Sequence, residues 1–393
     1  MISECIICKN MGFVNVFSIN RVPVCGNAPI KEDDIKNEVF GELDIVMCRR
    51  CSHVFNKRFS QKIIDSMYYK EYSSGIALTK GVTDRYDKAI SEGIKKENIV
   101  GKSVIEIGAS NFSFSNMMLA LGAKEILAFE PSSLFESKEK KIMHIKKYFS
   151  RGLIPHEFSP GLIVARHVLE HMTAPMAFIK ELSESSALGT KVYIEVPNVD
   201  DIIENKRIYD FFYEHVSYFS PGLLSSVLES VGFKILSITP LADHQHFGIL
   251  SEKISKGTDI KAKMINTEVR VNKLFKLGKS KEEYLQKLNK IICSSKNVAI
   301  YGAGNHSIAS VVMLGDKSSM IGCMLDINPI KAGLLSPMNH IKIMIPSKAL
   351  VSCYDAIIII AALHQEEIYN NLRDKYGFSG KIFGTYPIVS ELK

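Results

Sequence analysis

The stretch Ser103-Val104-Ile105-Glu106-Ile107-Gly108-Ala109-Ser110-Asn111-Phe112 reads as a β-branched strand, a turn, and the entry to a helical pattern over Phe114–Leu121. A strand feeding a helix through a glycine turn opens a parallel α/β unit, and the turn lets a nucleotide approach backbone N–H groups. Gly108 holds the first turn position, whereas Ser110 and Phe112 stand where further glycines are usual. About twenty residues on, the run Ile126–Glu130 ends in an acid, where a carboxylate accepts ribose hydroxyls. Glu106, Gly108, Ser110, Asn111, Glu130 and the following Pro131 are therefore candidate cofactor contacts. Glu106 has a purely structural strand acid as its alternative. An NAD site would use the same two features.

Working outward, further apolar runs span Leu162–His167, Lys191–Val196, Lys234–Leu241 and Phe247–Glu252, with helical stretches at Pro175–Glu184 and Pro221–Val231. Proline suits a first helical turn, and Gly122, Gly189 and Gly232 follow the helices where a left-handed cap is wanted. Such alternation predicts a mostly parallel sheet covered on both faces. The last two strands have no helix between them, which predicts an antiparallel hairpin at one edge. That ending resembles class I methyltransferases and not NAD-binding domains, and it favours S-adenosylmethionine as cofactor. The expected fold is α/β. It has a Rossmann-like, seven-stranded class I core at 86–255, an N-terminal zinc module with a Tyr-rich linker at 1–85, a helical connector at 256–294 and a C-terminal Rossmann-like domain at 295–393.

Hydrophobic residues make up 46% and charged residues 23%, so long disorder is not expected. The net charge of +7 fits a solvated Lys-rich surface or an anionic small substrate. No basic block is interleaved with stacking aromatics, which argues against nucleic acid. The longest apolar run, Ala356–Leu363, is far short of the ~20 residues a membrane helix needs. A cytoplasmic location follows as the expectation, as a monomer or homodimer, with cysteines present as thiols or metal ligands.

Cys5-x-x-Cys8 and Cys48-x-x-Cys51 form two matched pairs. Zinc takes four soft ligands in a tetrahedron, and each C-x-x-C turn supplies two thiolates. Structural zinc is the expected reading, with an insertion between the pairs; buried thiols or a redox pair are the alternative.

Two further stretches carry proton-transfer groups. Arg166-His167-Val168-Leu169-Glu170-His171 follows the fourth strand, at the edge where open α/β sheets bind ligands. His167 and His171 line the pocket, pack, or bind a metal as a pair. Phe211-Phe212-Tyr213-Glu214-His215-Val216-Ser217-Tyr218-Phe219-Ser220 follows the fifth strand. Its density of Glu, His and Tyr suits general acid–base work, with His215 as the central candidate. In the C-terminal domain Val298-Ala299-Ile300-Tyr301-Gly302-Ala303-Gly304-Asn305-His306-Ser307 repeats a strand–turn–helix, with Asp326 ending the next strand. Gly302, Gly304, Asn305 and His306 there are candidate substrate-phosphate contacts; NAD binding and a scaffold role remain alternatives.

Taken together, these motifs resemble the nucleotide-sugar C-methyltransferase family over nearly the whole chain. The resemblance rests on the four cysteines, Tyr72-Ser73-Ser74, Glu106-Ile107-Gly108, Glu130-Pro131-Ser132, His167-Val168-Leu169-Glu170-His171 and Glu214-His215-Val216-Ser217-Tyr218-Phe219-Ser220. It implies S-adenosylmethionine and structural zinc as cofactors and a nucleotide-linked 4-keto-deoxysugar as substrate. His215 would be the base, assisted by Glu214 and His171, with Tyr213 and Tyr218 as further catalytic candidates. Tyr72 and His167 join the expected cofactor contacts. The chain departs from the family at Phe212, where Tyr is usual, at Tyr213, where His is usual, and at His244-Gln245-His246-Phe247-Gly248. A methyl transfer to sugar oxygen or nitrogen, or a nucleotide-sugar-binding scaffold with a decayed cofactor turn, are the competing readings.

Overall fold

The computed structural model describes residues 2–68, 80–131, 136–255 and 267–393. Tyr72 lies outside the described residues. The central sheet has seven strands: β1 (Ser103–Ile107), β2 (Glu125–Phe129), β3 (Ile142–Ile145), β4 (Leu162–Arg166), β5 (Lys191–Pro197), β6 (Phe233–Leu241) and β7 (His246–Lys253). Their order is β6-β7-β5-β4-β1-β2-β3. The strands from β1 to β5 pair in parallel, whereas β7 runs antiparallel to both β5 and β6. The expected edge hairpin is therefore present. β1 and β4 are buried along their whole length, which is why they read as continuous apolar runs. β3 escapes the sequence reading because it is a half-exposed edge strand behind a Lys-rich run.

Helices Ser113–Ala120, Pro175–Glu184 and Pro221–Ser230 flank the sheet. Ser220 caps the last of these by accepting the Leu223 N–H. Gly122 and Gly232 take left-handed backbone directly after the caps of their helices, where a Cβ would be disfavoured, whereas the helix Pro175–Glu184 is capped by Ser185 and Gly189 is left-handed in the turn before β5.

The N-terminal module is a long hairpin, Phe13–Pro23 against Phe40–Cys48, followed by Val54–Asn56. The hairpin is the insertion between the two Cys pairs. The module's fourth strand is Ser217–Tyr218, contributed by the loop of the central domain. Helix Lys80–Lys88 runs through the boundary expected at residue 85 and packs Tyr86 edge-on to Phe114 of the core. The connector folds as one helix, Thr267–Ser294, that crosses the hairpin so closely that a Cβ on Gly278 would lie 2.7 Å from the Val16 carbonyl. The C-terminal sheet orders its strands Ile343–Met344, Ile321–Leu325, Val298–Tyr301, Ala356–Ile359, Lys381–Gly384 and Ser390–Glu391. One apolar cluster joins the hairpin, residues 199–218, the connector helix and this last sheet, so the segments share a core. Among the described residues, no helix is long and apolar enough to cross a membrane.

Candidate active site

The C-terminal ends of β1, β2, β4 and β5 form one edge of the sheet, and the sequence candidates in the core gather around it. Gly108, Ser110 and Phe112 have φ of 74°, 50° and 60°. The turn thus keeps left-handed backbone at two non-glycine positions, at a cost of about 1–2 kcal/mol each. Phe112 offsets this by burying its ring edge-on to His144, centroids 4.9 Å apart. The Gly108 N–H donates to the Phe129 carbonyl, and the Ser110 N–H donates to the Glu130 carboxylate, both at 2.8 Å. Asn111 accepts the Ser113 N–H and starts the helix, and Pro131 is exposed beyond Glu130. The backbone cradle and strand-end carboxylate that an adenosine cofactor requires are therefore formed without the second and third glycines.

Glu106 sits behind this turn, 3% exposed, with the Ser115 hydroxyl donating to its carboxylate. It ties strand to helix near the C-terminal end of β1. Burial pushes its carboxyl up to about 7, opposed by the Ser115 hydroxyl and Arg166. The folded chain therefore holds this proton more tightly than the unfolded chain, so stability falls as pH rises from the ordinary carboxyl range through 7. Glu106→Gln keeps the acceptor oxygen and removes the titration. It is expected to change melting little near pH 4.5 and to stabilise by about 3 kcal/mol at pH 8; equal melting of the two proteins at pH 8 would refute this.

A buried charge network lies beside the turn. The Arg166 guanidinium donates to both Glu195 oxygens, at 2.6 and 3.2 Å, and stacks between Tyr86 and Phe114. Arg85 is 3.5 Å from the same carboxylate. His167, left-handed at φ 53°, places Nδ1 3.2 Å from Glu170 and Nε2 2.9 Å from Glu195. Burial opposes a charge on His167, but these two carboxylates outweigh it and raise its pKa. With both ring nitrogens taken, His167 does not join His171 in the metal pair considered from sequence; its ring instead meets His246 edge-on at 5.0 Å.

His171 turns toward the second stretch. Its Nδ1 donates to the Glu214 carbonyl at 2.8 Å, and its ring lies edge-on to His215, centroids 4.8 Å apart. His215 is 9% exposed and packs under Phe212 at 4.2 Å. Burial first, then the imidazoles of His171, His167 and His246, hold His215 well below the usual histidine range, so the ring is neutral at pH 7. Glu214 is buried beside it.

The two tyrosines expected among the catalytic groups serve the loop instead. Tyr213 points into the N-terminal module, stacks on Phe59 and accepts the Ser60 N–H at 3.0 Å. Its ring lies so close to Gly41 that a Cβ there would sit 2.1 Å from it. Tyr218 clamps the backbone of Phe212, accepting its N–H and donating to its carbonyl, both at 3.2 Å.

The four cysteines converge under this loop. Cys5 and Cys51 sulfurs are 3.6 Å apart, Cys8 and Cys48 sulfurs 3.5 Å, and all four lie within 4.8 Å of one another. Four thiolates bound at about 2.3 Å to one zinc would be about 3.8 Å apart, so the set fits that ion. The two turns have the same backbone. Cys5 and Cys48 donate N–H to Asn10 and His53, while Lys9 and Ser52, both left-handed, donate back to Cys5 and Cys48.

At the C-terminal turn, Gly302 is left-handed and its N–H donates to the Leu325 carbonyl, as Gly108 does to Phe129. The acid is occupied, however. Asp326 accepts the Ala303 N–H and lies 3.6 Å from Lys331. Lys331 also donates to Asn27, and a Cβ on Gly26 would fall 2.6 Å from Asn305. The N-terminal module therefore lies against the turn from which a phosphate contact was expected. His306 faces Asp210 of the central domain, Nε2 to Oδ1 2.5 Å, and Arg207 holds the other Asp210 oxygen. Burial disfavours the Asp210 charge, but His306 and Arg207 outweigh it and hold its carboxyl well below the usual range. Of the four residues proposed there, His306 and Asn305 serve contacts between domains, and Gly304 alone has open space around its Cα.

Comparison with known proteins supplies the class. A methyltransferase-domain model matches residues 80–238, and a model of the C-methyltransferase C-terminal domain matches residues 261–387. The C-methyltransferase NovU of Streptomyces niveus is 20% identical over 98% of this chain and 96% of its own length. The chain is an S-adenosylmethionine-dependent methyltransferase. Among solved structures, the N-methyltransferase NodS of Bradyrhizobium japonicum WM9 is 11% identical with a TM-score of 0.37, covering 49% of this chain and 98% of its own. The DhpI-SAM-HEP complex is 16% identical with a TM-score of 0.38, covering 49% and 99%.

This S-adenosylmethionine-dependent methyltransferase carries the turn between β1 and its helix within the matched region, at the C-terminal edge of the sheet. Sequence reasoning missed Arg85, Arg166, Glu170 and Glu195, the network that braces this edge. One signal was available for two of them: Arg166 ends the apolar strand β4 and Glu195 interrupts the apolar stretch of β5, at buried positions where a surface charge has no place.

Proposed function

We propose that this methyltransferase adds a methyl group to carbon in a nucleotide-linked 4-keto-deoxysugar, with His215 as the base. The observation that carries this reading is the setting of His215. It is a buried imidazole with Nδ1 lacking any hydrogen-bond partner, at the cofactor edge, on a loop fixed by the N-terminal module. A ketone acidifies the adjacent C–H. His215 takes that proton, and the electron pair left on carbon is delocalised onto the ketone oxygen. S-adenosylmethionine, when bound, would supply that carbon with an electrophilic methyl group from its sulfonium. The His171 ring, aimed by the Glu214 carbonyl, packs edge-on against His215 and holds it in place. Cys5, Cys8, Cys48 and Cys51 would hold a structural zinc that sets the loop, with no open position for chemistry.

The test is hydrogen exchange. Enzyme and keto-sugar nucleotide in D₂O, with S-adenosylhomocysteine in place of the methyl donor, are expected to incorporate deuterium next to the ketone. His215→Gln should lose this exchange while still binding S-adenosylhomocysteine. Exchange that persists in His215→Gln would remove it as the base. Absence of exchange in the unaltered enzyme, combined with methyl transfer, would assign the acceptor to oxygen or nitrogen.

A further inference from the structure

Glu170 brings a carboxylate up to the His171–His215 pair, an arrangement that proton abstraction by His215 does not require. Glu170, His171 and His215 each offer one ligand atom, and the three atoms lie within 4.8 Å of one another. Glu170 is 1% exposed, and its Oε2 has no hydrogen-bond partner. His215 likewise leaves Nδ1 buried without a partner. Leaving a carboxylate oxygen and a ring nitrogen buried and unmatched costs folding energy that an apolar pocket would not.

The remaining atoms of the trio are oriented from behind. His167, itself gripped by Glu195, faces the other Glu170 oxygen. The Glu214 carbonyl accepts a hydrogen bond from His171 Nδ1. A ring that donates from Nδ1 carries a bare lone pair on Nε2 in its neutral form, so the carbonyl fixes His171 in the ligand tautomer. Carboxylate and carbonyl groups behind the ligands are the usual supports of bound metal.

We propose that Glu170, His171 and His215 form a three-ligand site for one late first-row divalent cation, separate from the four cysteines, and that the ion competes with the acceptor. Two imidazoles and one carboxylate suit Zn²⁺, Co²⁺ or Fe²⁺ and leave coordination positions open for water. Competition follows from His215: a lone pair given to a metal cannot receive a proton. The competition clause rests on His215 being the base. The site itself does not.

The experiment uses the full chain, first saturated with zinc at its cysteines, and Co²⁺ as the probe. Saturable binding of one Co²⁺ per chain is expected, without the thiolate charge-transfer absorption that cobalt at the cysteines would show. Glu170→Gln and His171→Gln should each weaken it at least about tenfold, whereas the surface variant His156→Gln should not. Because Glu170 is buried, the unaltered protein gives a second readout: bound Co²⁺ must shift or broaden the imidazole signals of both His171 and His215. No saturable binding, binding with thiolate absorption only, or unperturbed His171 and His215 signals would each overturn the proposal. Binding is read without any acceptor, so its failure is distinct from failure of the exchange test. If binding holds, deuterium exchange should fall with the same Co²⁺ dependence; exchange unaffected by saturating ion would overturn the competition.

Discussion

Replacing Cys48 and Cys51 together with serine is expected to empty the four-cysteine site, lower the melting temperature and reduce methyl transfer by about 10²-fold or more, although neither residue touches the cofactor edge. The four sulfurs are packed so closely that their thiolates repel one another unless a cation lies among them. Structural zinc in small modules binds with about 10–16 kcal/mol of apparent free energy, which is folding energy for the element it clamps. Here that element is short. The Cys48–Cys51 turn leads directly into Val54–Asn56, whose partner on the far side is Ser217–Tyr218. The Asn56 N–H donates to the Val216 carbonyl at 2.9 Å, next to His215. Freeing the turn frees that strand, and His215 loses its fixed place; displacements of about 1 Å are enough for a loss of this size. Zinc content, melting and turnover measured on the double variant decide the matter. Full activity in metal-free protein would disprove the coupling.

Glu195→Gln is expected to destabilise the chain by about 3–5 kcal/mol, with a melting temperature lower by roughly 5 °C. Glu195 is fully buried and is the carboxylate shared by Arg166, Arg85 and His167. Neutralising it leaves two guanidinium groups that burial already penalises, with no equal counter-charge. His167 would keep only Glu170, so its imidazolium should lose its proton at lower pH than before, a shift that NMR titration reads directly. Adding Arg166→Met to the variant should recover part of the lost stability, because one of the stranded charges is then removed. Melting of Glu195→Gln within a degree of the unaltered protein would show that the network is solvated in solution.

The parallel core was open to sequence reading because its physics is local. Buried strands such as Leu162–Arg166 contain little but branched apolar residues, and glycines close two of the helices at 122 and 232. The altered cofactor turn was harder to judge: Ser110 and Phe112 suggested a closed site, yet both adopt the left-handed backbone that glycine would have taken. The placement of His215 next to His171 could be anticipated only through family likeness, since 44 positions separate them and their meeting depends on the packing of two loops. Tyr213 and Tyr218 have structural roles that composition alone does not reveal. Chemistry-bearing side chains in a dense loop look catalytic until their hydroxyls are seen serving backbone groups at Ser60 and Phe212. Contacts between domains, such as His306 with Asp210 and Asn27 with Lys331, leave no periodic trace at all.

The four-stranded N-terminal sheet carries a consequence for the order of assembly. Roughly 160 residues separate Phe55 from its partner Ser217, a long-range pairing of the kind that slows folding. During synthesis the cysteine module leaves the ribosome well before its last strand exists, and until then Val54–Asn56 presents an open edge. The two cysteine turns can form early, but the module finishes its sheet only when the central domain has been made. Completion of the N-terminal sheet and construction of the acceptor loop are therefore a single late event, and a chain truncated before residue 217 would display an unpaired strand prone to joining another copy.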